Sequence, residues 1–256
     1  MAIAKADYIE GLAKGLAVLE AFDTERQRLN ATLAAQRTGI TRASARRHLL
    51  TLADLGYLDT DGSHYWLSAR VLRLAGSYMA TSRLPRTLQP TLNRLAAQTQ
   101  AAFSVVVRDG DECVIVARSA GVAEPVRHLA YGLHLGARLP AHATSTGRVL
   151  LASLPKAEFA AWLKGRELAR ITPQTEVNVT RFKALIEQVR QADHCLARDG
   201  HELGIHALAV PLRNMQGQTL AALNVVGTAE QLSDAAVQRQ WLPLLLEAAR
   251  ELRPLL

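Results

Sequence analysis

The sequence predicts an α+β chain in two parts, and three observations carry that reading. Residues 9–56 hold three helical segments of one-sided hydrophobicity, punctuated by Gly39 and Gly56. Two short strands then flank an Asp61-Gly62 turn, and beyond residue 85 strand pairs alternate with helices, the pattern of an α+β sheet domain. A length of 256 residues is enough for two domains that each bury a core. Apolar residues at 49% against 21% charged exclude a disordered or collagenous chain.

Each element has a local cause. Leu12, Leu16, Leu19 and Phe22 recur at the spacing of one helical face, so a first helix is expected over Ile9–Phe22. Asn30 offers an N-cap for a short helix ending at Thr38, and Gly39 supplies a left-handed C-cap. Thr41 caps a third helix with Ala43, Ala45, Leu49, Leu52 and Leu55 along it, which Gly56 stops. Strands at Tyr57–Thr60 and Tyr65–Leu67 complete the order of a winged helix-turn-helix. Ser68 then caps a linker helix running to Arg83, with Val71, Leu74, Ala75 and Tyr78 as its apolar stripe and Pro85 beyond its end.

The second part opens with a helix from about Arg86 to Gln100. Strands follow at Phe103–Arg108 and Cys113–Arg118, then helices near Thr144–Leu154, Lys156–Leu163 and Thr180–Ala192. Strands Ala207–Leu212 and Thr219–Val226 flank a turn at Asn214–Gly217, and a last helix runs from Ser233 to about Leu252. The expected boundaries are 8–67 for the winged helix-turn-helix, 68–84 for the linker helix and 85–256 for the sheet domain.

Thirty Lys and Arg against 23 Asp and Glu give a formal charge of +7, which favours a polyanionic partner without showing one. The third helix sharpens this. Its apolar face uses Ala45, Leu49 and Leu52, so Thr41, Arg42, Ser44, Arg46, Arg47 and Thr51 project elsewhere, at the end that would enter a major groove first. Arginine can read guanine bidentately or pair with phosphate, and Ser or Thr can bond base or backbone. A solvated basic face is the plainer alternative. The absence of any acid from Leu29 through Ala53, together with the Gly turn and the hairpin, favours double-stranded DNA as partner.

In the second part, Thr144-Ser145-Thr146 opens an apolar helix just after Pro140. Free amides, hydroxyls and the positive end of the helix dipole make such a start either a carboxylate site or a capped terminus and nothing more. Catalytic readings fare worse. His142, Ser145 and Asp199 invite a hydrolase, but no Gly-x-Ser-x-Gly elbow is present. His194 and Cys195 would point to opposite faces of a strand. His128, His134, His201 and His206 lack metal-ligand spacing, and neither a Walker loop nor a dinucleotide fingerprint occurs. No cofactor, metal or enzymatic activity is expected. Two cysteines, Cys113 and Cys195, are too few for a disulfide framework, and no segment reads as a signal peptide or membrane span, so a cytoplasmic protein is expected.

Several segments resemble the signature stretches of IclR-type transcriptional regulators. They are Ala13–Phe22, Thr38-Gly39-Ile40-Thr41-Arg42, His48–Leu58, Leu139–Arg148 and Ala209-Val210-Pro211-Leu212, in order along nearly the whole chain. Asp7-Tyr8-Ile9, Arg26–Asn30, Tyr131–Gly136 and Ala143–Gly147 are most similar to the aromatic-acid-responsive members, those answering 4-hydroxybenzoate. The resemblance implies an activator of an aromatic-acid catabolic operon, a dimerising linker helix, a homodimer or tetramer, and a GAF-like effector domain. It implies pocket positions at His128, Tyr131, Leu139, Ser145, Thr146, Ala197, Ala207, Asn224 and Val226. It departs from the family pattern where Ser145 and Thr146 replace a common Gly or Ala, and where Gly200 replaces a usual acid before Glu202.

A benzoate-like effector needs an anion hole, a flat apolar slot and a polar group at the far end. The expected assignment gives the carboxylate to Thr144, Ser145 and Thr146, and the slot to Leu139, Ala207 and Val226, with Tyr131 and Trp162 as ring partners or core. The distal hydroxyl goes to Asn224 or His134, each able to donate and accept. Alternatives are another small carboxylic acid such as protocatechuate or ketoadipate, or an enzyme joined to a DNA-binding domain.

Overall fold

A computed structural model describes residues 4–23, 26–119 and 134–256. The chain divides into two compact units between Ser82 and Arg83. In the first, α1 (Glu10–Glu20), α2 (Ala31–Thr38) and α3 (Arg42–Asp54) precede an antiparallel pair, β1 (Leu58–Thr60) and β2 (Tyr65–Leu67). The Asn30 carboxamide oxygen accepts from the amides of Thr32 and Leu33, and Gly39 sits at φ 70°, so both ends of α2 are fixed by local chemistry. Val18, Leu29, Ala34, Ala45, Leu49 and Leu58 form a core in which α1, α2, α3 and the hairpin meet. A short 3-10 turn, Ala69–Val71, capped by the Ser68 hydroxyl, leads into α4 (Leu72–Thr81).

The second unit starts with α5 (Arg83–Thr99), earlier than expected. Pro85 lies beyond the end of α4, as expected, and also in the first turn of α5, where its missing N–H has no intrahelical partner to lose. Pro90, by contrast, lies inside α5. The sheet consists of β3 (Ala102–Asp109), β4 (Glu112–Arg118), β5 (Arg138–Pro140), β6 (Cys195–Arg198), β7 (Ile205–Arg213) and β8 (Thr219–Thr228). Its order is β5-β4-β3-β8-β7-β6, antiparallel throughout. The strand expected at Cys195 is β6, and its bounds went unread because four residues at a sheet edge carry too short a period-two signal. The remaining helices are α6 (Ser145–Ala152), α7 (Lys156–Leu163), α8 (Val179–Ala192), and α9 (Asp234–Ala236), which continues through a wide turn at Val237–Trp241 into α10 (Leu242–Leu252).

Alternation along the strands sorts the two faces. Phe103, Val105, Leu208, Val210, Leu212, Leu223 and Val225 pack against Leu88, Leu92 and Leu95 of α5 and Leu245 and Leu252 of α10. The opposite face is built of smaller residues. Ala209, Ala222, Val106 and Ile115 meet Val149 and Leu151 of α6, Phe159 of α7, and Phe182 and Ile186 of α8. One row crosses four strands as Ala197, Ala207, Val226 and Ala102, and the next as Cys195, Ala209, Asn224 and Ser104. The alanines of the first row leave space above the sheet.

All eight residues of α6 are buried, and its approach to the preceding turn depends on Gly147. A Cβ there would lie 2.1 Å from the Ala141 carbonyl oxygen and 2.4 Å from the Ala141 Cα. Arg148 Nε donates to the His142 carbonyl at 2.9 Å, and the Gly147 amide donates to the Thr144 hydroxyl at 3.2 Å, which pins the turn onto the helix. Gly147→Ala is therefore expected to destabilise the C-terminal unit by at least ~3 kcal/mol, the upper range of overpacking, because backbone rather than a flexible side chain must move. Urea unfolding of the variant checks this; a loss below ~1 kcal/mol would show that the turn can yield.

Candidate functional site

On α3, Ala45, Leu49 and Leu52 face the core, as their spacing requires. Arg42, Arg46, Arg47 and Thr51 are exposed and Ser44 is half-buried. The Thr41 hydroxyl accepts from the Ser44 amide at 3.2 Å, and the Thr51 hydroxyl donates to the Arg47 carbonyl at 2.9 Å, so both hydroxyls are engaged by the helix itself. Among the described residues, Arg42, Arg46 and Arg47 enter no ion pair. His48 turns inward: its Nδ1 lies 2.8 Å from the Ser44 carbonyl and its Nε2 3.2 Å from that of Gly11, joining α3 to α1.

In the second unit a cavity of about 180 Å³ lies between the start of α6, the alanine row of the sheet and the loop after β6. Leu139, Thr144, Ser145, Thr146, Ala197, Ala207, Asn224 and Val226 line it, together with Ala143, Gly200, His201, Glu202 and Ile205. Two buried polar atoms in this wall, Ser145 Oγ and Asn224 Oδ1, in residues 1% and 8% exposed, have no hydrogen-bond partner among the described residues. An unmatched buried polar group costs roughly 1–3 kcal/mol, so each is a standing demand for a ligand atom. The first two amides of α6, those of Ser145 and Thr146, lack intrahelical acceptors and add the positive end of the helix dipole.

The cavity wall is shaped from outside by a clamped loop. The Thr172 hydroxyl donates to the Asp199 carbonyl at 2.6 Å and that of Thr175 to the Gly200 carbonyl at 2.7 Å. The Asp199 carboxylate accepts from the Gly204 amide at 2.7 Å, closing the turn that carries His201 and Glu202. Burial holds the His201 imidazole below its ordinary pKa, with Glu202 pulling the other way. A Cβ at Gly200 would meet the Ala143 carbonyl oxygen at 2.7 Å, so on this backbone the acid that the resemblance led one to expect here has no room.

Several expected positions fall elsewhere. His134 is exposed beside its neighbour's Leu135 carbonyl and takes no part in the wall, since the residues after it turn away before β5 begins. Trp162 stacks on Phe159 with the Arg166 guanidinium over its ring, so it belongs to the core beneath α7 rather than to the cavity. Thr144 lines the cavity, yet its hydroxyl is occupied as the cap of α6. His128 and Tyr131 lie outside the described residues. Ala143, His201 and Ile205 went unread, because a small residue and a loop carry no periodic signal; the Asp199-Gly200 pair was the available cue to a turn there.

The geometry disfavours hydrolysis. His142 Nε2 faces the Ala169 carbonyl at 2.8 Å rather than Ser145, and Asp199 stands by His206 at 3.7 Å. Burial pushes the Cys113 thiol up to about 12 and raises that of Cys195, so neither is a nucleophile near neutral pH. Among the described residues, no cluster could hold a metal ion and no helix is long and apolar enough to cross a membrane.

A helix-turn-helix unit and a cavity-bearing sheet unit on one chain define the class of transcriptional regulators that combine DNA binding with ligand sensing. The IclR helix-turn-helix domain model matches residues 11–62, and the bacterial transcriptional regulator IclR C-terminal model matches residues 76–253. The chain belongs to the IclR family of bacterial transcriptional regulators, and its N-terminal unit is a DNA-binding domain. It is 50% identical to the p-hydroxybenzoate hydroxylase transcriptional activator of Acinetobacter baylyi, over 97% of this chain and 92% of the relative. It is 46% identical to the Pca operon regulatory protein of the same organism, over 98% of this chain and 90% of the relative. The crystal structure of a double mutant of the PobR inducer-binding domain from Acinetobacter, in complex with 3-hydroxybenzoic acid, superposes with a TM-score of 0.61. It is 44% identical, covering 67% of this chain and 98% of that one.

Proposed function

We propose that this regulator activates an operon of aromatic-acid catabolism in response to a hydroxybenzoate, with 4-hydroxybenzoate as the best-fitting member. The observation that carries the reading is the pair of unmatched buried polar atoms, Ser145 Oγ and Asn224 Oδ1, in one cavity. A cavity of ~150 Å³ accommodates benzene, so about 180 Å³ suits one ring with small substituents. Asn224 Oδ1 can only accept, which calls for a donor such as a phenolic hydroxyl. The Ser145 hydroxyl and the amides of Ser145 and Thr146 suit a carboxylate, while Leu139, Ala207 and Val226 supply the apolar slot. The relatives named for p-hydroxybenzoate hydroxylase activation and the Pca operon, and the neighbour holding 3-hydroxybenzoic acid, support the same ligand class.

For the DNA-binding unit we assign operator contacts to Thr41, Arg42, Ser44, Arg46, Arg47 and Thr51, the arginines dominating. Such short recognition helices read two half-sites as a symmetric pair, which argues for a homodimer. The stripe of α4, with Leu74 58% and Tyr78 46% exposed, offers it an apolar face, and a sedimenting mass of two chains checks this.

Calorimetry on the double variant Ser145→Ala/Thr146→Val is expected to show at least a tenfold loss for 4-hydroxybenzoate and little change for its primary amide. Equal weakening of both would move the carboxylate away from α6. For DNA, Arg42→Ala, Arg46→Ala and Arg47→Ala are each expected to weaken operator binding. A base-reading arginine costs about 1–3 kcal/mol and relaxes preference at one position, whereas a phosphate-pairing one flattens the salt slope by roughly one unit. Unaltered operator affinity in the folded triple variant would contradict the assignment.

A further inference from the structure

Arg148 is 6% exposed, yet no carboxylate among the described residues pairs with it. Its Nε donates to the His142 carbonyl, and its charge acts on the buried Cys195 thiol, so its near partners are neutral. The two acids of the adjoining loop are turned to other tasks. Asp199 holds the Gly204 amide and stands beside His206, and Glu202 is exposed at the cavity rim. A buried cation without a counter-charge is an expensive arrangement.

Its position gives the cost a purpose. A Cβ on Gly200 would be 3.5 Å from Arg148 Nη2, and Gly200 itself lines the cavity. The guanidinium therefore stands directly behind the cavity wall formed by Gly200 and Ala143, on the side where α6 begins. Because position 200 carries no side chain, the guanidinium comes this close to the wall, and a buried charge acts on an adjacent ligand more strongly than it would across water.

We propose that Arg148 is a specificity-determining residue that makes the cavity select anions: the ligand's carboxylate supplies the counter-charge that the fold withholds from this guanidinium. It acts through the field across Gly200 rather than by touching the ligand, whose carboxylate is held by the start of α6. The inference rests on the effector reading of this cavity and adds the origin of its preference for an acid over an isosteric neutral molecule.

Calorimetry on the full chain with 4-hydroxybenzoate and 4-hydroxybenzamide tests it. The unmodified protein is expected to favour the acid. Arg148→Gln, which keeps a donor for the His142 carbonyl, should lose at least tenfold for the acid, about 1.4 kcal/mol, while the amide stays within twofold. Arg148→Lys should keep most of the preference. Cys195→Asp leaves Arg148 in place and sets an internal carboxylate against it, so it should reduce the acid-to-amide ratio by a similar factor even if Arg148→Gln fails to fold. Acid and amide weakened alike in these variants, or an unchanged ratio, would overturn the proposal and leave the effector reading standing. Uptake of neither compound by the unmodified protein would overturn the effector reading, and the proposal with it.

Discussion

The closeness of Gly147 to the backbone of Ala141 is the constraint on which the C-terminal unit depends. With no Cβ in the way, the first turn of α6 lies against the turn before it, and the whole helix is buried. Arg148 and the Thr144 cap then tie that turn in place through the His142 carbonyl and the Gly147 amide. The free amides of α6 consequently point over the row of the sheet where Ala197 and Ala207 are too small to fill the space. Helix terminus and void are two results of the same placement. Larger side chains in the row would close the cavity, and a bulkier residue at 147 would lift the start of α6 away from it.

Cavity and core lie on the same face of the sheet, and they differ in how the volume is filled. Beneath α7 and α8, Phe159, Trp162 and Phe182 fill the volume with rings. At the other end, Ser145, Asn224 and Arg148 keep polar atoms or charge buried without full compensation. Protein interiors rarely tolerate this, and stability is given up where function requires it. In the N-terminal unit, Arg42, Arg46 and Arg47 of α3 enter no ion pair among the described residues, and an acid paired with them would compete with phosphate.

The winged unit was legible because short-range chemistry specifies it. Asn30, Gly39 and Thr41 are capping residues whose meaning does not depend on distant neighbours, and the period of Ala45, Leu49 and Leu52 gives one buried face. The helix after Thr144 was legible for the same reason. What escaped was set by tertiary context. Pro85 lies past α4, as its sequence suggests, but a second helix already begins before it, and β6 is bounded only by its pairing with β7. His201 and Ile205 reach the cavity because Thr172 and Thr175 hold the loop there, a contact across more than twenty residues that no local pattern encodes. His134 and Trp162 had the right chemistry for a ligand, and the fold sends the first to the surface and the second into the aromatic core.

On the proposed reading, Ser145 Oγ and Asn224 Oδ1, which no described residue matches, are matched by the effector. The most direct measurement compares the affinities of 4-hydroxybenzoate and benzoate for the native protein and for Asn224→Leu, a replacement of similar size that removes the acceptor. The account predicts that the native protein favours the hydroxylated acid by at least tenfold, about 1.4 kcal/mol, and that the variant loses or reverses this preference. Equal affinity of the native protein for the two acids, or an undiminished preference in Asn224→Leu, would contradict it.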